Sequence, residues 1–221
     1  TILREGENRI FDVTIIRALI QVKSIKKAKL IDGSIGYVKL AEFQEHTPAD
    51  LDRALRELSK EGMDSLILDL RNNPGGLLNV SVEVAGTFLK PGLEIVSTRG
   101  RLQAQNVVYK NHAKNGMTDL PVIVLVNGGS ASASEIVAGA LKDHKRALIL
   151  GTKTFGKGSV QTIIPLKDGS ALRLTTAKYF TPSGASIHNE GIVPDVIVEQ
   201  VRMDTVKKRH TAEVFERLDR E

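Results

Sequence analysis

The sequence predicts an α/β fold, and three observations carry that expectation. Residues 65–70 form a short continuous apolar run, followed by the turn-rich Arg71-Asn-Asn-Pro-Gly-Gly76 and then by a helical pattern. Residues 121–126 repeat the arrangement, with Asn127-Gly-Gly as the turn. Residues 147–150 read as a third buried strand. Strand–turn–helix units in series imply a largely parallel sheet with helices laid against it. A chain of 221 residues can enclose one sizeable core. Aromatic residues are only 4% and Trp is absent, so Val, Ile, Leu and Ala must do the packing.

Residues 1–30 read as a β-rich lead-in, with partial alternation over 9–16 and a basic stretch to Lys29. A core domain is expected over 31–200 and a polar helical tail over 201–221. Within the core, residues 35–40 form a strand. Thr47 is expected to cap the next helix, with Pro48 at its first position and Leu51, Ala54, Leu55 and Leu58 on one face. Further helices are expected over 77–89 and 133–142. After Leu150 the helical pattern stops. Residues 160–166 and 171–179 alternate like two antiparallel strands around Lys167-Asp-Gly-Ser170, and 194–199 read as a last strand.

Composition excludes several classes of function. The net charge of +5 is spread widely, and the short basic runs Lys26-Lys27 and 207–210 read as solvated faces. Without aromatics among the basic residues, a nucleic-acid partner is not expected. The absence of cysteine removes disulfides, thiolate metal sites and cysteine nucleophiles. The five histidines, at 46, 112, 144, 188 and 210, show no metal-ligand spacing, so no metal is expected. No apolar run has the length of a membrane span.

Two segments carry chemistry. In Gly128-Gly-Ser-Ala-Ser-Ala-Ser-Glu135, Ser130, Ser132 and Ser134 stand where a strand gives way to a helix, whose free N–H groups suit an oxyanion beside a nucleophile. Ser132-Ala-Ser-Glu135 also fits a capping box, so Ser132 has a purely structural reading as well. No Gly-x-Ser-x-Gly elbow is present.

Gly151-Thr-Lys-Thr-Phe-Gly-Lys157 fulfils the first seven positions of a phosphate-binding loop. The eighth is Gly158, which has no hydroxyl for a metal, and the residues that follow are strand-like rather than helical. A nucleotide is therefore not expected, nor any other cofactor. Lys157 makes better sense as a general base, because burial disfavours an ammonium ion and leaves a neutral amine that can take a proton. Gln161, four residues on, would share its face in a strand and orient the amine. Asp143-His144 beside the serine helix keeps a Ser–His–Asp arrangement open. The 72–76 turn offers backbone N–H groups at the carboxyl end of a strand, where α/β sheets place their sites.

These segments, in this order, resemble the carboxyl-terminal processing (tail-specific) proteases, a family of serine–lysine peptidases. The matching residues are Gly36-Tyr-Val-Lys-Leu40, Asp69-Leu-Arg-Asn-Asn-Pro-Gly-Gly76, 126–136 and 151–161, joined by Tyr179-Phe-Thr-Pro-Ser-Gly184 and Gly191-Ile-Val-Pro-Asp195. The resemblance implies a ClpP/crotonase-like core of repeated ββα units. It places the nucleophile on Ser132, the base on Lys157 and the lysine-orienting glutamine on Gln161. The oxyanion hole falls on the N–H of Ala133 and that of Gly75 or Gly76. It implies a protein or peptide substrate held in extended form and an extracytoplasmic location, and a homo-oligomer is compatible with it. Family members carry a PDZ domain before the core. Only residues 1–30 precede it here, too few for such a domain, and 9–16 resemble the strand that would close one. A catalytically silent peptide-binding or assembly module is the competing expectation.

Overall fold

The structure, a computed structural model, describes residues 1–3, 10–18, 23–113 and 116–199. The helical tail expected over 201–221 lies outside the described residues. In chain order the strands are β1 (Ile2–Leu3), β2 (Ile10–Phe11), β3 (Ile25–Ile31), β4 (Ile35–Leu40), β5 (Ser65–Asp69), β6 (Glu94–Gly100), β7 (Val107–Lys110), β8 (Val122–Val126), β9 (Leu148–Gly151), β10 (Ser159–Pro165), β11 (Ala171–Phe180) and β12 (Val196–Ile197). The helices are α1 (Thr47–Lys60), α2 (Leu78–Gly86) and α3 (Ala133–Asp143).

Six strands form the main sheet in the order β12-β9-β8-β5-β4-β3. All its pairs are parallel except β3 with β4. The β5 and β8 cores, built from Leu, Ile and Val, sit at its centre. Leu66, Leu68, Val122, Val124 and Val126 are buried, while Ile67, Ile123 and Leu125 on the other face are only half-buried, so the strands expected to be buried throughout are fully covered on one face. The boundary expected between residues 30 and 31 falls inside β3, which pairs with β4 across Ile25–Leu40 to Ile31–Ile35. A second, antiparallel sheet runs β10-β11-β6-β7. The expected final strand is reduced to Val196–Ile197 on the edge of the main sheet.

Helix α3 packs on β9 of the main sheet and on β6 of the second. Every residue from Ala133 to Leu141 is buried, which explains its Ala- and Gly-rich sequence: small side chains let a helix lie between two neighbouring layers. Helix α1 buries the expected stripe of Leu51, Ala54, Leu55 and Leu58. Its cap differs from expectation. His46 occupies the N-cap and Thr47 is already helical. The Thr47 hydroxyl turns back instead, accepting from Gln44 N–H at 2.8 Å and donating to the Glu42 carbonyl at 3.3 Å. It thereby shapes the loop that follows β4.

Candidate active site

Four loops leave the carboxyl ends of β4, β5, β8 and β9 on the same edge of the parallel sheet. They are locked to one another by buried polar groups. Asn73 donates to the Leu40 carbonyl at 3.0 Å and accepts from Gly75 N–H at 2.9 Å. Asn72 and Asn127 exchange hydrogen bonds at 2.9 and 3.0 Å. Phe43 pairs with Gly76 as a one-residue parallel bridge.

The three serines are not equivalent in this frame. Ser130 is fully buried, with its hydroxyl donating to the Leu70 carbonyl at 2.8 Å and accepting from Asn127 N–H at 3.0 Å. Ser134 is fully buried and donates to the Asn73 carbonyl at 2.9 Å. Both hydroxyls fasten the serine loop to its neighbours. Ser132 is partly exposed and makes no side-chain bond to another loop among the described residues. It also has φ of 54° and ψ of −113°, a conformation that costs a residue with a Cβ of order 1–3 kcal/mol and gathers at functional sites. Of the expected capping box only the carboxylate half forms: Ser132 N–H donates to Glu135 Oε2 at 2.8 Å, while Glu135 N–H goes to the Ser132 carbonyl at 2.9 Å, so Ser132 begins the helix without committing its hydroxyl to it.

The glycine loop lies against this serine. A Cβ on Gly75 would sit 2.8 Å from Ser132 Cβ and 2.9 Å from Ala133 N, so only a glycine permits the approach. Gly75 N–H is already given to Asn73, whereas Gly76 N–H and Ala133 N–H have no acceptor among the described residues.

Lys157 and Gln161 are arranged differently from the sequence expectation. Lys157 is exposed and precedes β10, which starts at Ser159. The β10–β11 register then shifts between Val160 and Gln161, so strand alternation does not set their common face. No hydrogen bond joins Lys157 to Ser132 or to Gln161 among the described residues. What the structure does fix is the Lys157 main chain, through Glu135. That carboxylate is fully buried and accepts four hydrogen bonds: from Ser132 N–H (2.8 Å) and Lys157 N–H (2.9 Å) on Oε2, and from the Thr154 hydroxyl and Gly156 N–H (both 2.6 Å) on Oε1. The sequence marked Glu135 only as the far end of a capping box; its links to residues 154–157 are long-range and have no local signature.

A second cluster went unread. Asp69 is buried at the end of β5 and accepts from Tyr37 Oη (2.6 Å), Lys39 Nζ (3.2 Å), and Arg71 through its N–H (2.9 Å), Nε (2.9 Å) and Nη2 (2.7 Å). Burial pushes its carboxyl up, but the Arg71 guanidinium and Tyr37 hydroxyl outweigh that and hold it down at about 2. The same contact raises the Tyr37 hydroxyl, through burial first and Asp69 second.

The Asp143-His144 pair does not serve Ser132. His144 is the C-cap of α3, twelve residues beyond Ser132, which at 1.5 Å per residue places it roughly 18 Å away. Its Nε2 bonds the Glu94 carbonyl at 2.6 Å, and Asp143 accepts from Ser183 N–H at 2.8 Å. No group of three His, Asp or Glu side chains arranged to hold a metal occurs among the described residues.

The sequence profile of peptidase family S41 matches residues 34–198. The chain belongs to peptidase family S41. Among its S41 relatives is a carboxy-terminal-processing protease of Bartonella bacilliformis, 56% identical over 206 residues that cover 90% of this chain and 46% of the relative. A carboxyl-terminal-processing protease of Synechocystis is 43% identical over 203 residues, covering 90% and 47%. The chain thus spans about half the length of these relatives. A photosystem II D1 C-terminal processing protease superposes with a TM-score of 0.73 at 37% identity, covering 81% of this chain and 49% of that one. The mixed α/β architecture is that of the S41 peptidases.

Proposed function

We propose that this chain is the catalytic core of a serine endopeptidase that cuts proteins at or near their C-terminal tails. The carrying observation is Ser132, held at positive φ as the N-cap of a buried helix, beside two backbone N–H groups that have no acceptor among the described residues. Ser132 Oγ attacks the scissile carbonyl, and its proton passes to the neutral amine of Lys157 and then to the departing amine. The carbonyl oxygen becomes an oxyanion between Ala133 N–H and Gly76 N–H; Gly75 is less suited because its N–H is engaged by Asn73. Water, deprotonated by Lys157, then releases the acyl group. In this reading the amide oxygen of Gln161 orients the lysine only once a bound peptide brings the two exposed side chains together. An extended peptide over the site would cover the exposed Lys157, and loss of water favours the neutral amine that catalysis needs. The substrate class and an extracytoplasmic location follow from the likeness to the processing proteases. Among the described residues, no helix is long and apolar enough to cross a membrane.

The exposure of Lys157 also supports a second reading, a silent module that holds peptides without cutting them. A fluorophosphonate serine reagent separates the two. The peptidase reading expects covalent labelling mapped to Ser132, and cleavage of an unfolded protein that falls at least about 10³-fold in both Ser132→Ala and Lys157→Ala. Equal cleavage by the unaltered chain and Ser132→Ala would sink it.

A further inference from the structure

Thr154 is buried and makes two side-chain hydrogen bonds that point in one direction. Its hydroxyl donates to Glu135 Oε1 at 2.6 Å and accepts from Ile192 N–H at 2.7 Å. Its own N–H donates to the Ile192 carbonyl at 3.1 Å. A hydroxyl has one proton to give, and here the carboxylate takes that proton while the backbone N–H of Ile192 bonds one of the oxygen's two lone pairs. Each bond polarises the next, and the series ends on Glu135. Oε1 of that carboxylate also takes Gly156 N–H, and Oε2 takes Ser132 N–H and Lys157 N–H.

The consequence is geometric. Ser132 and Lys157 belong to loops after different strands, β8 and β9, and are 25 residues apart in the chain. One carboxylate takes both of their main-chain N–H groups and ties the two loops together, beside a single backbone bond from Phe155 N–H to the Ser130 carbonyl at 3.0 Å. Glu135 has a rotatable stem, and its two oxygens are oriented by what they accept. Thr154 is the only side-chain donor among the four, the other three being backbone N–H groups. The 187–192 segment steadies that donor from the far side, with Asn189 N–H bonding the Gly156 carbonyl at 2.9 Å.

We propose that Thr154 is a positioning residue for the Ser132–Lys157 pair, acting through Glu135 and anchored by Ile192. This inference rests on the peptidase reading given above. A polar link of this kind acts on alignment of the reacting groups and not on the surface that takes the peptide. Misplacement by about 1 Å in such a pair costs on the order of 10²-fold in rate.

Thr154→Val keeps the shape and removes the hydroxyl, whereas Thr154→Ser keeps the hydroxyl and removes a methyl. The test measures fluorophosphonate labelling of Ser132, kcat and KM on an unfolded protein, and Tm, in the whole chain. Thr154→Val is expected to lower the labelling rate and kcat about 10- to 100-fold with KM changed less than about twofold. Thr154→Ser should restore both rates to within about threefold of the unaltered chain. A folded valine variant that labels and turns over at the unaltered rate overturns the proposal, as does a loss that appears in KM alone. Should the valine variant not fold, Glu135→Gln decides. Its amide cannot accept at both ends, so labelling must fall at least about tenfold, and undiminished labelling overturns the proposal. Absence of labelling in the unaltered chain would sink the peptidase reading itself, a result distinct from equal labelling of the unaltered and valine chains.

Discussion

A buried carboxylate stays ionised only where donors replace the water it has lost, and Asp69 has five such bonds from Tyr37, Lys39 and Arg71. Its folded pKa of about 2 lies below the ordinary carboxylate value, so the folded protein binds the Asp69 proton less readily than the unfolded chain does. The stability this provides is complete above about pH 4 and disappears as pH falls through about 2; its size is roughly 2 kcal/mol. Asp69→Asn removes the charge opposite Arg71 and Lys39, both of which are mostly shielded from water. Urea unfolding of both proteins should show the variant less stable by about 2 kcal/mol or more at pH 7. The gap should narrow between pH 4 and pH 2. A gap that does not change with pH would show that the carboxylate charge is not what stabilises this corner. Since Arg71 leads directly into the Asn72–Gly76 loop, the cluster also fixes where the glycines begin.

Loops, more than strands, decide whether the site exists, and the loop after β5 is the most demanding. Gly75 has φ of +104°, and a Cβ there would lie 2.7 Å from the Ala131 carbonyl oxygen as well as against Ser132 and Ala133. Gly75→Ala should therefore displace this loop from the nucleophile. Labelling of Ser132 is expected to fall at least about tenfold, with Tm lower by only a few degrees because the core strands are untouched. Labelling at the unaltered rate would remove the loop from the site. The same loops show how far the sequence reaches. Apolar runs at 65–70 and 121–126 announce buried strands because continuity of Leu, Ile and Val is a local property. Gly75 and Gly76 announce a turn for the same reason. The helix expected over 77–89 stops at Gly86 because residues 87–92 turn toward β6, a tertiary demand. Neither the Glu135 hub nor the Asp69 cluster was legible, since their partners lie 19–22 and 30–32 residues away respectively, apart from near neighbours. The exposed lysine likewise reflects side-chain placement that no spacing rule encodes.

At the scale of the whole molecule, rigidity is distributed unevenly, and the two halves of the proposed site fall on opposite sides of that division. Ser132 caps α3, which is buried between β9 of the main sheet and β6 of the second, in a core where Leu68 of β5 and Val124 and Val126 of β8 are fully buried. Lys157 leads into β10, an edge strand whose outer side pairs with no other strand among the described residues. Ile163 is 67% exposed there, and Leu172 and Leu174 of β11 are nearly half exposed. Amides of β5 and β8 should exchange with solvent only on global unfolding, while those of 159–165 should exchange through local opening and much sooner. An extended peptide that adds to the free edge would give β10 the missing hydrogen bonds and cover Lys157 at once. In Ser132→Ala, which can bind without cutting, saturating unfolded polypeptide should slow exchange across 159–165 by at least about tenfold. Exchange in β5 and β8 should stay unchanged, because those amides are already limited by global stability. Protection that appears at β7 or β3 and spares β10 would place the substrate on another edge. In that case Lys157 would need a different element to shield it from water.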